Sequence, residues 1–302
     1  MRNKIIGLVF SIMVVVLVSA IAVFGMVQAK KSDNKAEQTG NNKSSPDKKK
    51  DTESSADGQS GDNQETESND KSSSNEETTT APETTAGNSE PDFQNSAIDP
   101  NRPMVALTFD DGPSRENTTR ILDALKQYNA HATFFVVGYN LDGNEDILKR
   151  VTDEGSEIGS HTASHSKLTS LDAAGMASEV DAMAERIKGI TGQGRVIIRP
   201  PYGAVDDNVM AALKDPVILW SIDTEDWQTR NVQSTVQNIQ SSVYDGAIIL
   251  MHDLYSETAE AAVQIIDWLN SQGYQMVTIS ELGYFRRGGL QTGVRYGSLK
   301  PN

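Results

Sequence analysis

The chain has 302 residues, no cysteine and a formal net charge of −15. Without cysteine it forms neither disulfides nor thiolate metal sites. The acidic balance argues against nucleic acid as a general partner.

The first segment, residues 1–29, places Arg2 and Lys4 before an uncharged apolar run over residues 5–29. A bilayer-spanning helix needs about 20 such residues, and a cleavable leader core only about 7–15. The run therefore reads as an uncleaved signal anchor. It makes the protein single-pass in the cell membrane, with the C-terminal bulk of the chain outside. The competing reading is secretion after cleavage near Val27-Gln28-Ala29.

Residues 30–100 are mostly Ser, Thr, Asn, Asp, Glu, Lys and Gln, with Phe93 as the only aromatic. Such a segment cannot bury enough apolar surface to offset chain entropy, so a disordered polar linker is expected. Its charge is sorted: seven Lys against three acids over residues 30–50, then twelve acids against Lys71 over residues 51–92.

Residues 101–302 have globular composition and are expected to form one catalytic domain. Short apolar runs predict strands at 104–109, 132–137, 157–160, 196–199, 217–221, 247–251 and 275–278. Between them helices are predicted at 117–128, 144–154, 172–190, 206–213, 234–244 and 258–271. Strand–helix alternation implies an α/β fold with a parallel sheet, either a small or incomplete barrel or an open doubly wound sheet. No G-x-G-x-x-G or P-loop follows a strand, so no nucleotide site is indicated.

In both architectures chemistry sits at the C-terminal ends of the strands. Asp110 and Asp111 end the first predicted strand, and His161 and His165 follow the third. Arg199 and Tyr202 close the fourth, Asp223, Asp226 and Trp227 follow the fifth, and His252 and Asp253 follow the sixth. His131 falls at the opposite end and is read as a solvated cation near a helix C-terminus.

His161 and His165 are four apart, a spacing that faces two imidazoles the same way on one helical turn. With one carboxylate they make a three-ligand metal site with an open position. Asp110 and Asp111 point in different directions from a strand end, so one can ligate the metal while the other faces the activated water. The bland alternative for the pair is a helix cap and turn through Gly112 and Pro113.

Five motifs carry a resemblance: Thr108-Phe-Asp-Asp-Gly112, His161-Thr-Ala-Ser-His165, Arg199-Pro-Pro-Tyr202, Asp223-Thr-Glu-Asp-Trp227 and Leu250-Met-His252. Together they resemble the polysaccharide deacetylases of carbohydrate esterase family 4, the NodB-homology domain, from about residue 103 to 282. The "GVRYGS" stretch near the C-terminus is similar to family endings. The resemblance implies a distorted (β/α) barrel of about seven parallel strands and metal-dependent removal of acetyl groups from a glycan. It implies Asp110 as general base, Asp111, His161 and His165 as metal ligands, and His252 as general acid. Arg199 would hold Asp110 and Asp226 would partner His252. Tyr202 would offer a backbone N–H to the oxyanion, and Trp227 and Leu250 would wall in the acetyl methyl. The implied cofactor is one divalent metal ion, zinc first, with cobalt, manganese or nickel as alternatives.

With the anchor and linker, these expectations make the partner an acetylated glycan, namely peptidoglycan N-acetylglucosamine, and the protein a monomer that binds no nucleic acid. Chitin oligosaccharides, xylan or another acetylated polysaccharide are the alternative substrates. Two other readings share the site: an Fe(II) oxygenase, also built on two His and a carboxylate, and a non-catalytic glycan-binding module.

Overall fold

The computed structural model describes Phe93 and residues 97–301. The predicted anchor lies outside the described residues, as does the predicted linker apart from Phe93 and residues 97–100. Among the described residues no helix is long and apolar enough to cross a membrane. Residues at the end of the predicted linker are tied to the domain: the Asp99 N–H donates to Gln275 Oε1 at 2.8 Å and Arg286 Nη1 donates to the Pro100 carbonyl at 3.2 Å.

The described chain is an α/β fold built on a parallel sheet. Its strands are β1 (Met104–Asp110), β2 (Thr133–Val136), β3 (Glu157–Ser160), β4 (Val217–Ile218), β5 (Ile222–Asp223), β6 (Ala247–His252), β7 (Gln275–Met276) and β8 (Arg295–Tyr296). Its helices are α1 (Arg115–Lys126), α2 (Glu145–Asp153), α3 (Ala173–Thr191), α4 (Asp207–Ala212), α5 (Asp226–Thr229), α6 (Val232–Ser242), α7 (Ser256–Ser271) and α8 (Ile279–Arg287). All six predicted helices are present, with ends shifted by at most two residues.

β1 is central and buried along its whole length, as expected of a parallel strand covered on both faces. The sheet order is β3-β2-β1-β6-β5, and every pairing between named strands is parallel. β7 pairs with the start of β1 at Met104 and Val105, below the point where β2 joins at Thr108. Beyond β3, Ile198 bridges Ser160 on one side and Val217 on the other, and β4 then pairs with β8. Only Leu219, Trp220 and Ser221 separate β4 from β5. The hydrogen-bonded path that leaves β3 through Ile198 therefore returns to β6 through β5.

Two expectations change at this point of the sheet. The strand predicted at 196–199 shrinks to the single bridged residue Ile198, and that predicted at 217–221 splits into β4 and β5. The cause is local: Arg199 turns its guanidinium onto the Ile218 and Leu219 carbonyls, and Leu219 N donates to the Tyr296 carbonyl of β8.

The helices close the core. α7 buries Ala261, Ala262, Ile265, Ile266 and Leu269 along one stripe. Each large aliphatic side chain so buried contributes about 1.5–3 kcal/mol. α3 starts at Asp172, whose carboxylate accepts from Gly175 N–H, and stops at Gly192 with φ 75°.

Candidate active site

The site begins with the pleat of β1. Thr108 and Asp110 are two apart and share a face. Arg199 Nη1 donates to both, to Thr108 Oγ1 at 2.8 Å and to Asp110 Oδ1 at 2.7 Å. The guanidinium is fully buried, lies 4.1 Å from the centroid of the Phe135 ring, and donates through Nη2 to the Leu219 carbonyl at 3.1 Å. Burial pulls its pKa down and Asp110 opposes the shift. The Thr108 hydroxyl donates to the Ile249 carbonyl at 2.6 Å, so its oxygen is free to accept from Arg199. Asp110 Oδ1 is thereby fixed.

β3 delivers the first histidine. His161 is buried, and its Nδ1 lies 2.6 Å from the Arg199 carbonyl. A carbonyl only accepts, so Nδ1 carries the hydrogen and Nε2 presents a lone pair. Burial is the largest influence on this imidazole and holds its pKa below the ordinary value, favouring the neutral ligand form. His161 Nε2 stands 3.6 Å from both Asp110 Oδ2 and Asp111 Oδ1, and His165 Nε2 stands 3.3 Å from Asp111 Oδ1.

The helical turn expected for the histidine pair is not there: residues 161–166 form an irregular loop. Thr162 and His165 take left-handed φ values of 68° and 59°, and this reversal brings the rings to 4.9 Å between centroids. The loop is clamped by Glu179 on α3. Its backbone carbonyl accepts from Ala163 N–H, and its carboxylate accepts from Ser164 N–H at 2.8 Å and from Ser164 Oγ at 2.6 Å. Sequence reasoning missed Glu179, since nothing in a helical Glu marks a partner fifteen residues away.

Asp111 leaves β1 in the left-handed region, φ 71°, so its side chain diverges from that of Asp110. Asn140 Nδ2 holds the Asp111 carbonyl at 2.8 Å and Val137 N–H holds the Gly112 carbonyl at 3.0 Å. Glycine is required at 112 for space: a Cβ there would lie 2.4 Å from the carboxylate of Asp253. Asp253 is buried beneath this turn, hydrogen-bonded to Thr118 Oγ1, and burial lifts its carboxyl to about 7.

The residues fit a divalent cation. Asp111 Oδ1 is buried without a hydrogen-bond partner, yet faces two imidazole nitrogens. The ligand atoms of Asp111, His161 and His165 all lie within 4.8 Å of one another. Two donors about 2.1 Å from a common tetrahedral ion stand about 3.4 Å apart, which is the spacing seen between carboxylate and imidazoles. Lone pairs converging at that distance with no proton between them call for a positive charge.

On the other side of β1, β6 ends at His252. Its Nδ1 lies 2.9 Å from Asp226 Oδ1 and its backbone N–H donates to Asp226 Oδ2 at 2.8 Å. Thr258 and Thr224 hydroxyls also donate to that carboxylate, at 2.6 and 3.1 Å. Burial alone would lower the His252 pKa, but the hydrogen bond and charge of Asp226, helped by Asp110 and Asp111, overcome it and raise the value to about 8. Asp223, the neighbouring candidate, is exposed and instead accepts from the Glu225 N–H. Glu225 is also exposed.

Asp110, Asp111, His161, His165, Tyr202, Trp227, Leu250 and His252 line one cavity of about 450 Å³. Arg199 and Asp226 stand behind it, each holding a lining residue. Trp220 and Tyr255, which the sequence did not single out, complete the wall with Asp223. The Tyr202 ring meets His165 edge-on at 4.8 Å. Of the non-glycine residues with positive φ, Asp111, Thr162, His165, Tyr202 and Glu225 all belong to this rim. Such conformations cost energy and collect where geometry serves function.

His131 is at the opposite end, as expected, but it is not a solvated cation. Its Nδ1 lies 2.9 Å from Glu281 Oε1, and that hydrogen bond, against burial, raises its pKa.

Comparison with known proteins agrees with this geometry. The family profile for polysaccharide deacetylase matches residues 97–216. The peptidoglycan-N-acetylmuramic acid deacetylase PdaC of Bacillus subtilis is 41% identical over 189 residues, covering 63% of this chain and 40% of the relative. The peptidoglycan-N-acetylglucosamine deacetylase PgdA of Listeria monocytogenes is 41% identical over 192 residues, covering 64% of this chain and 41% of the relative. The chain thus spans about two fifths of the length of these curated relatives. A solved structure of Bacillus subtilis PdaC superposes with a TM-score of 0.62 at 41% identity, covering 63% of this chain and 95% of that one.

Proposed function

Because this chain belongs to the polysaccharide deacetylase family, we propose that it is a metal-dependent hydrolase that removes N-acetyl groups from a cell-envelope glycan, namely peptidoglycan N-acetylglucosamine. The observation that carries the reading is the unpartnered Asp111 carboxylate oxygen facing two imidazoles, in one cavity with a fixed carboxylate and a paired histidine.

Asp111, His161 and His165 would hold one divalent ion, zinc first, with cobalt, manganese or nickel as alternatives. Such an ion supplies Lewis-acid polarisation of the acetyl carbonyl and lowers the pKa of water. Asp110, oriented by Arg199 and next to the ligand set, accepts the proton of the attacking water. Hydroxide adds to the amide carbon. The Tyr202 backbone N–H, assigned by resemblance, faces the developing oxyanion. His252, kept protonated by Asp226, donates to the departing nitrogen. The C–N bond breaks, leaving acetate and a free amino sugar. Trp227 and Leu250 form the apolar side of the cavity against the acetyl methyl.

The proposal extends to the rest of the chain: residues 1–29 anchor it in the cell membrane, residues 30–100 tether it, and residues 101–302 act as a monomer outside. Incubating the protein with zinc and purified peptidoglycan tests the reading. Acetate and free glucosamine amines are expected, and removing the metal with a chelator stops their release. Acetate from chitin or xylan but not from peptidoglycan overturns the substrate, and amines on muramic acid alone overturn the sugar.

A further inference from the structure

β1 and β6 run in parallel register as far as Asp110 and His252, and both strands end there. The next residue of each is again an aspartate, Asp111 and Asp253. Asp111 belongs to the metal site, whereas Asp253 has no role in the proposed reaction. It is nonetheless fully buried, and its Oδ1 has no hydrogen-bond partner. A carboxyl in such a place costs free energy that an apolar side chain of similar size would not.

Both carboxyl oxygens and Cγ of Asp253 fill the space that a side chain at Gly112 would need. Its Oδ2 accepts from the Thr118 hydroxyl. That hydroxyl has one proton, and with it committed to Asp253 the Thr118 oxygen accepts from the Ser114 N–H at 2.8 Å. Ser114 is the N-cap residue of α1, yet its own side chain makes no capping hydrogen bond. The entry to α1 is instead fastened to Asp253 through Thr118. Asp253 therefore supports the turn at Gly112 and holds its far end at Ser114.

The start of this turn is Asp111, at φ 71°. A residue other than glycine keeps such a backbone only where its surroundings over-determine it. From the β2 side, Asn140 Nδ2 donates to the Asp111 carbonyl at 2.8 Å and Val137 N–H to the Gly112 carbonyl at 3.0 Å. Asp253 grips the same turn from β6. It does so one residue beyond His252, whose own N–H is fixed on Asp226 Oδ2 at 2.8 Å.

We infer that Asp253, acting through Gly112 and Thr118, is a positioning residue that holds Asp111 in its left-handed form and so sets the affinity of the site for its metal. It also ties the turn carrying a metal ligand to the strand end carrying the proton donor. The inference rests on the metal-dependent reading of the site.

The test uses the full chain, stripped of metal and titrated with zinc against a chromophoric chelator, beside urea unfolding of the metal-free protein. Asp253→Ala should weaken zinc binding about tenfold, at the low end for loss of a group supporting a metal ligand. Thr118→Val keeps the volume but cuts the link to Ser114, and should weaken zinc binding about three- to tenfold, the worth of one or two hydrogen bonds. Asp253→Asn keeps the shape and an oxygen for Thr118, and Oδ1 has no donor to lose, so it should recover most of the affinity. With cobalt in place of zinc, the visible bands should shift in Asp253→Ala and Thr118→Val and stay as in wild type in Asp253→Asn. An unchanged zinc Kd in Asp253→Ala or Thr118→Val, with only the urea midpoint lowered, makes Asp253 a packing residue and overturns the inference. An Asp253→Asn variant as weak as Asp253→Ala also overturns it, because charge and not shape would then be acting. If Asp253→Ala does not fold, the volume-preserving Thr118→Val decides. If wild type takes up no zinc, the metal-dependent reading itself fails and the inference falls with it.

Discussion

The two ends of the parallel sheet carry the same kinds of residue in opposite states. At the N-terminal end His131 pairs with Glu281, whose carboxylate also caps α8 by accepting from the Thr278 N–H at 2.8 Å. Glu157 beside it accepts from the Thr133 hydroxyl, from Ser280 N–H at 3.1 Å and from the Ser280 hydroxyl. The acceptors of these two carboxylates are matched by donors there, and among the described residues the unpartnered group at this end is a donor, Arg286 Nε. At the C-terminal end Asp111 Oδ1 and Asp253 Oδ1 are buried without partners, and five residues hold left-handed backbone. A histidine beside a carboxylate is therefore not a sign of chemistry by itself. The strained cluster with unpartnered carboxylate oxygens is the one built to receive something.

The sharpest way to break this contrast is to remove the base. Asp110→Asn should lower kcat by about 10²–10⁴, the usual range for a positioned proton acceptor. It keeps an oxygen for Arg199 but leaves that buried guanidinium without its counter-charge, and breaking such a pair costs roughly 3–5 kcal/mol. The rate is therefore read at a temperature where circular dichroism shows the variant folded. Asp111→Asn should instead lower bound metal, measured by atomic absorption. Loss of metal in the first variant, or its retention in the second, reverses the division of labour between the two neighbours.

A smaller effect is expected at Asp226. With His252 raised to about 8, the proton donor is charged at neutral pH and activity should fall as pH rises through about 8. The ion pair's contribution to folding has the same sign: present below the unfolded value of about 6.5 and lost as pH rises through about 8. Asp226→Asn should move the alkaline limb toward the ordinary histidine value of about 6.5. At pH 7.5 the protonated fraction then drops from about three quarters to about a tenth, so activity falls about eightfold. An alkaline limb that stays near 8 in the variant removes Asp226 from the role.

Much of this was legible in the sequence. The apolar run ending in Asp110 and Asp111 announced a buried strand with its chemistry at the end, and the alternation of runs gave the parallel α/β fold. What was not legible depended on contacts made across the fold. His161 and His165 converge by two left-handed residues, which a helical spacing rule cannot foresee. α5 and β8 are too short to show a period, at Asp226–Thr229 and Arg295–Tyr296. Glu179 matters through a hydrogen bond to a distant loop, which a local pattern does not carry. His131 looked solvated because Glu281 lies 150 residues away in the chain.

The N-terminal end of the sheet makes the finest test, because it should change stability and leave catalysis alone. Glu281→Ala removes both the capping box of α8 and the partner of His131. Losing a cap of this kind costs about 0.5–2 kcal/mol, so the urea midpoint should fall at every pH while kcat is unchanged. Glu281→Gln separates the two contributions, since an amide oxygen still accepts from the Thr278 N–H but carries no charge for the imidazole. Because Glu281 raises the folded-state pKa of His131, the charge term is fully present below about pH 6.5 and lost as pH rises through the folded value. Glu281→Gln should therefore be less stable than wild type at pH 5.5 and close to it at pH 8.5, while Glu281→Ala stays destabilised at both. A change of kcat in either variant would mean that the N-terminal end communicates with the C-terminal one, and the contrast between them would have to be redrawn.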